Sequence, residues 1–348
     1  SNPAGSVMAV VKADGYGHGA VAAAQAALAG GATWLGVATP TEALQLRAAG
    51  VDAPVLAWLW PPGERVAPAL AAGVQLAVAS RAQLDRVLDQ AVGAVPDIHV
   101  KVDTGLGRGG VGPAEIGAVL DAVAAAQRAG RVRVAGLMSH LASADVPDDP
   151  SVPEQTATFH RILAAAADRG IDPPLRHLAN TAGLIDHPAT RFDLVRVGIG
   201  GYGLNPVATP VPLTPAMTLR ATVALTKRVP AGHGVSYGLT YRTDRETTLA
   251  LIPLGYADGL PRAASNRGEI WLAGARRRIA GRVAMDQVVV DCGDDPVAAG
   301  DPAIVFGPGE QGEPTARDWA DYCGTIDYEI VTRIGPRVPR RHVGEAIP

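Results

Sequence analysis

The sequence predicts an α/β protein: a (β/α)8 TIM-like barrel followed by a mainly antiparallel β C-terminal domain. Three observations carry that expectation. Up to Gly203, short apolar β-type runs alternate with Ala/Leu/Arg stretches at helical spacing. Residues 205–215, NPVATPVPLTP, hold four prolines, too many for a helix or a central strand, and read as a linker. Beyond them, apolar runs punctuated by Gly and Pro follow one another with almost no helical pattern between. The expected domains are 1–211 and 212–348.

In order, the barrel runs are VMAVVKA (7–13), TWLGVA (33–38), APVLAW (53–58), VQLAVA (74–79), IHVKVD (98–103), VRVAGLMS (132–139), PLRHLA (174–179) and FDLVRVGI (192–199). Segments such as TEALQLRAAG and RAQLDRVLDQ read as the helices between them, the first ending at Gly50. Continuous apolar strands separated by helices argue a parallel sheet, and eight of them favour a closed barrel over an open doubly wound sheet. In the second domain the runs are LRATVALTKRV, TTLALIPLG, EIWLAG, QVVVDC and PAIVFG, with one short helix near 315–324 capped by Thr315.

Composition narrows the function classes. The 348 residues are 47% hydrophobic and 19% charged, with a formal net charge of −3. No apolar run approaches the roughly 18–20 residues of a membrane span. Near-neutral charge without a basic block removes the electrostatic case for nucleic acid. Two cysteines, Cys292 and Cys323, exclude a disulfide scaffold and a four-cysteine zinc site, and the histidines lack metal spacing. No signal peptide is visible, so a cytoplasmic enzyme is expected.

Lysine usage gives the first chemical hint. Only three of the 31 basic residues are lysines, and Lys12 and Lys101 each follow an apolar β-type run. Lysine offers what arginine lacks, a primary amine that can lose its proton and form a Schiff base with a carbonyl. Barrel enzymes carry their chemistry at the C-terminal ends of strands. Those ends supply Lys12, Lys101, Arg108, His140, Asn180, Thr181, Arg196, Gly198 and Ile199. The Thr181 hydroxyl with the amides of Gly198 and Ile199 suits a phosphate, and phosphate plus a Schiff-base lysine suggest pyridoxal 5'-phosphate. GLGRGG (105–110) fits a dinucleotide fingerprint but follows the fifth run, with no acid-ending strand after it. It reads instead as a glycine-rich turn that aims Arg108. Arg276–Arg278 and Arg340–Arg341 read as solvated faces.

With these residues in view, the chain resembles the alanine racemases. The likeness rests on AVVKADGYGHG (9–19), KVDTGLGRGG (101–110), SHLASAD (139–145), HLANTAG (177–183), RVGIGGYG (196–203), LGYADGLPR (254–262), GRVAMDQ (281–287) and IDYEIVTRIGPRVPR (326–340), in order across nearly the whole chain. The resemblance implies a homodimer with shared sites that racemises alanine and supplies D-alanine for peptidoglycan. It makes Lys12 the cofactor lysine and gives the phosphate to Tyr16, Thr181, Gly198, Ile199 and Tyr328, Thr181 standing where a serine is common. It places Arg196 on the pyridine nitrogen and His140 between Arg196 and a catalytic tyrosine, Tyr256, reaching over from the second subunit. Arg108 with Met285 and Asp286 match the substrate-carboxylate region, and Lys101 matches a lysine that can be carbamylated.

On that reading two bases work on opposite faces of the substrate, Lys12 for the D-face proton and Tyr256 for the L-face proton. A free tyrosine titrates near about 10, so it needs neighbours that favour its phenolate. The sequence leaves a broad-specificity amino-acid racemase, or a non-catalytic pyridoxal-phosphate-binding protein, as alternatives. A decarboxylase on a related barrel would put an acid or a cysteine pair where Arg196 and Tyr256 stand.

Overall fold

The structure, a computed structural model, describes residues 5–344. Each of the eight predicted barrel runs is a strand: β1 (Ser6–Val10), β2 (Trp34–Val37), β3 (Val55–Ala57), β4 (Gln75–Val78), β5 (Asp97–Lys101), β6 (Arg133–Met138), β7 (Leu175–His177) and β8 (Leu194–Val197). From β1 to β7 each strand pairs in parallel with its sequence neighbours, and β8 pairs in parallel with β1, Arg196 opposite Met8. Between β7 and β8 the ladder is replaced by single bonds: Asp193 N–H to Arg176 O (3.1 Å), Arg196 N–H to Ala179 O (3.0 Å) and the Arg176–Asp193 ion pair (2.6 Å). That seam nearly closes the barrel.

Two apolar layers hold it. Outside the strands, Leu35, Val37, Leu76, Val78 and Ile98 pack against helix residues such as Leu46, Leu84 and Leu120, which explains why the strands are apolar on both faces. Inside lies a small layer of Met8, Leu56, Ala77, Met138 and Leu194. The same interior also buries His99, His177 and Arg196.

The second domain is antiparallel throughout. Its strands are β9 (Leu219–Thr222), β10 (Leu225–Val229), β11 (Gly234–Val235), β12 (Tyr241–Arg242), β13 (Thr247–Ile252), β14 (Glu269–Leu272), β15 (Ala275–Arg278), β16 (Val288–Asp291) and β17 (Pro302–Phe306). They form a three-stranded sheet, β10-β13-β16, a four-stranded sheet, β15-β14-β17-β9, and the hairpin β11-β12. The single run LRATVALTKRV is two strands in different sheets. Val223 N–H bonds Asp301 O while the next residue, Ala224, bonds Leu251 O. The predicted helix is Ala316–Cys323, with Thr315 and Asp318 forming a reciprocal capping box. A further helix, Asp327–Thr332, was not expected.

Two expectations about arginines are corrected in part, Arg276, Arg278 and Arg341 being exposed as expected. Arg276–Arg278 is an edge strand and not a free face, with Arg276 on Gly312 O (2.7 Å) and Asp318 (3.2 Å) and Arg277 paired to Asp295. Arg340 is half-buried and donates to four backbone carbonyls, those of Gly17, Ile334, Gly335 and Val338. Both escape sequence reading because their partners are backbone oxygens or acids far along the chain.

Candidate active site

The site starts with the turn after β1. Ala13, Asp14, Gly15 and Tyr16 all lie in the left-handed region, with φ of 52°, 53°, 62° and 53°. For the three non-glycine residues that conformation costs about 1–2 kcal/mol each. Neighbouring groups hold the turn. The Glu42 carboxylate accepts from Ala13 N–H (2.7 Å), Ala38 N–H (2.8 Å) and Thr39 N–H (3.0 Å), and Asp14 accepts from Ala20 N–H (2.8 Å). From the C-terminal side, Arg340 reaches Gly17 O (2.9 Å) and His342 lies 2.8 Å from His18 O. The result aims Lys12 over the barrel rim, its Nζ 6.0 Å from the centre of the Tyr16 ring.

Around Lys12 the rim is cationic. Burial lowers the Lys12 ammonium below its usual range, and Arg108 lowers it further, against an opposing pull from Glu42. Lys101 is pushed down to about 8, first by burial, then by Arg108, Arg196 and Lys12. Asp103 pulls weakly in the opposite direction, while its Oδ1 accepts from Gly105 N–H (2.9 Å) and Gly107 N–H (3.2 Å). That bonding shapes the glycine-rich turn carrying Arg108, as the sequence suggested.

Arg196, fully enclosed, meets only neutral groups. Nη1 donates to His177 O (3.0 Å) and faces His177 Nδ1 (3.2 Å). Nη2 donates to Ser139 O (2.7 Å) and Leu178 O (2.9 Å) and faces His140 Nδ1 (3.3 Å). Burial lowers Arg196 to about 10. His140 is held neutral, its imidazole pushed down to about 3 by burial and then by Arg196, Arg108, Lys12 and Lys101. Because a guanidinium only donates, the facing Nδ1 of His140 is the bare nitrogen and Nε2 carries the proton. None of these bonds uses the Arg196 Nε–H.

Beside this cluster is a cradle of hydroxyls and glycine amides. Thr181 Oγ accepts from Gly198 N–H (3.1 Å) and Gly200 N–H (3.4 Å). Gly198 lets Tyr16 approach, since a Cβ there would lie 2.6 Å from the Tyr16 hydroxyl and push it aside. Ile199 opens the turn Ile199–Tyr202, and the Tyr16 ring stands between Tyr202 (4.8 Å) and Tyr328 (6.3 Å). Asn180 caps the helix Thr181–Asp186, its side-chain oxygen taken by Gly183 N–H (2.9 Å). Donor hydroxyls and amides beside a row of cations, without an ion-paired acid, fit a phosphorylated carbonyl cofactor.

The structure therefore gathers Lys12, Tyr16, Lys101, Arg108, His140, Asn180, Thr181, Arg196, Gly198, Ile199 and Tyr328 along the barrel rim and its facing helix. Tyr256, Met285 and Asp286 form a second group on the C-terminal domain. Tyr256 N–H bonds Ala284 O (3.0 Å), Ala257 N–H bonds Met285 O (2.9 Å), and Arg337 pairs with Asp286 (2.7 Å) and Asp258 (3.4 Å). Tyr256 and Met285 remain 41% and 53% exposed. Sequence reading missed Glu42, His177 and Arg340. Only Glu42 left a signal, the Thr39-x-x-Glu42 capping box.

Comparison with known proteins agrees with this geometry. The family profile "Alanine racemase, N-terminal domain" matches residues 1–206, and "Alanine racemase, C-terminal domain" matches residues 216–342. The alanine racemase of Thermobifida fusca is 59% identical over 97% of this chain and 91% of its own length. That of Salinispora arenicola is 55% identical over 99% and 94%. Among solved structures, the alanine racemase from Streptomyces lavendulae superposes with a TM-score of 0.97 at 50% identity, covering 99% of this chain and 92% of its own. The enzyme from Bacillus anthracis with bound L-Ala-P gives 0.91 at 35% identity, covering 98% and 89%.

Proposed function

The chain belongs to the alanine racemase family, and from that premise we propose how its own residues interconvert the two enantiomers of alanine. It is an isomerase that depends on pyridoxal 5'-phosphate and acts on alanine. Tyr16, Thr181, Gly198, Ile199 and Tyr328 would hold the cofactor phosphate, and Lys12 would hold its carbonyl end. When bound, the cofactor supplies an electron sink that acidifies the α-hydrogen of an attached amino acid.

The protein's part is to bind, orient and move protons. Lys12, its ammonium already lowered, takes or returns the α-proton on one face. Tyr256 of the partner subunit does so on the other, with the His140 Nε2–H directed to hydrogen-bond its phenolate. Arg196, with its Nε–H not used by the bonds above, would donate to the pyridine nitrogen, and because a guanidinium only donates it would favour the unprotonated ring. Arg108, with Met285 and Asp286 of the partner subunit, binds the substrate carboxylate.

We read the assembly as a cytoplasmic homodimer with shared sites. Among the described residues no helix is long and apolar enough to cross a membrane. The boundary at 211/212 falls in the stretch without helix or strand between Tyr202 and Leu219. The observation that carries the mechanism is the convergence of Lys12, Lys101, Arg108 and Arg196 beside the hydroxyl cradle. Borohydride reduction and peptide mapping should find the pyridoxyl group on Lys12, and Lys12→Ala should abolish the loss of optical rotation with L-alanine. Label on Lys101 or Lys227 would overturn the assignment.

A further inference from the structure

A row of polar side chains leads from Arg196 through the barrel interior, away from the reacting groups. Arg196 Nη1 faces His177 Nδ1 at 3.2 Å, His177 Nε2 faces His99 Nδ1 at 2.9 Å, and His99 Nε2 faces Gln75 Oε1 at 2.9 Å. The four residues stand on β8, β7, β5 and β4, and Gln75, the first residue of its strand, lies at the end opposite Lys12. Both imidazoles are 0% exposed. Their neighbours are apolar: Met8, Leu56, Ala77, Met138 and Leu194, with Trp34 edge-on to His99 at 5.7 Å. Room for His99 is made at Gly136, where a Cβ would lie 2.1 Å from His99 Nδ1.

The order of donors along this row is forced from one end. A guanidinium has no acceptor, so His177 Nδ1 must present a lone pair. Burial holds both histidines neutral, His99 down to about 3, so each carries one ring proton. The proton of His177 is then on Nε2 and is donated to His99 Nδ1. His99 in turn carries its proton on Nε2 and donates it to Gln75, whose amide must turn its oxygen inward. Reversing any one member sets two N–H groups against each other inside an apolar layer, which leaves buried donors without partners.

We propose that Gln75 is a positioning residue for Arg196. By accepting from His99 it satisfies the far end of the row that Arg196 orders, and so holds both imidazoles, and the lone pair under the guanidinium whose Nε–H would serve the cofactor, in place. The orienting role rests on the cofactor reading above, whereas the tautomer order does not.

The test is nitrogen NMR of the holoenzyme labelled with [15N]histidine, the two signals assigned by His99→Asn and His177→Asn. In the native protein both imidazoles should carry the proton on Nε2. Gln75→Glu keeps an acceptor and should keep that pattern and the native visible band of the cofactor. Gln75→Met keeps the volume and removes the acceptor. It should leave the His99 Nε2–H without its acceptor, read as a changed His99 Nε2 nitrogen shift, shift the visible band, and lower kcat by about tenfold with little change in KM. A proton on Nδ1 of His99 in the native protein would overturn the proposal, and so would a Gln75→Met protein with native His99 nitrogen shifts and a native band. The native tautomers decide the matter even if Gln75→Met does not fold. A native protein with the expected tautomers but no visible band would refute the cofactor reading and leave the relay standing.

Discussion

Lys101 is the residue whose chemistry is most open to its surroundings. Burial and three neighbouring cations bring its amine down to about 8, and Asp103 is already engaged by backbone amides. A neutral amine can attack carbon dioxide, losing one proton to water and gaining a planar two-oxygen anion, which would match the fork of Arg108. The sign of the pH effect follows: the neutral fraction, and with it the carbamate, rises as pH passes upward through about 8. Stability gains too as pH rises from there towards the ordinary lysine range, because in that window the unfolded chain binds the extra proton. With 13C-labelled bicarbonate, a carbamate carbon resonance should appear and grow between pH 7 and 9. Lys101→Ala should lose that resonance and most of its activity, and short carboxylic acids should restore part of the activity. No resonance, with a fully active Lys101→Ala, would show Lys101 to be an ordinary lysine. Much at this scale was legible in the sequence, because a scarce lysine at a strand end is a chemical signal. His177 was not, since a buried imidazole between apolar strand residues has no distinguishing neighbour in the chain.

Among the elements, the turn Lys12–Tyr16 is where sequence and structure part most. AVVKADGYG reads as a strand running into a glycine-rich loop, and β1 ends at Val10 as that pattern allows. Nothing in Ala13 or Tyr16 announces a left-handed backbone, because their conformation is imposed by groups elsewhere: Glu42, on the helix after β2, accepts from Ala13 N–H, and Arg340 donates to Gly17 O. The strands of the barrel, by contrast, were legible throughout, since a parallel strand buried on both faces must be a continuous apolar run. The turn makes an unusual stability prediction. Alanine to glycine normally costs about 0.5–1 kcal/mol, yet at φ 52° the Cβ of Ala13 carries a strain of about 1–2 kcal/mol. Ala13→Gly should therefore leave the urea midpoint unchanged or raise it, by up to about 1 kcal/mol of stability. A loss of 1 kcal/mol or more would mean that Ala13 is not strained.

For the whole molecule, the first group of site residues comes from the barrel except for Tyr328, whereas the Tyr256 group lies wholly on the C-terminal domain and faces outward. Shared sites make a counting prediction. Lys12→Ala and Tyr256→Phe proteins should each be nearly inactive, but a heterodimer of the two has one intact site. After random subunit exchange the mixture should recover about a quarter of native activity. A mixture that stays inactive although heterodimers form would place Lys12 and Tyr256 in the same subunit's site. The likeness to a known family made this division readable, whereas composition and periodicity alone said nothing about which surfaces meet. The domains are also joined within one chain, since Val10, Tyr16 and Ile199 share a core with Ile330 and Val331. Arg340, which secures Gly17, stands 323 residues after it. During synthesis, then, the turn that presents Lys12 emerges 323 residues before the arginine that secures it. The barrel's opening stays unfinished until that arginine has been translated and has docked.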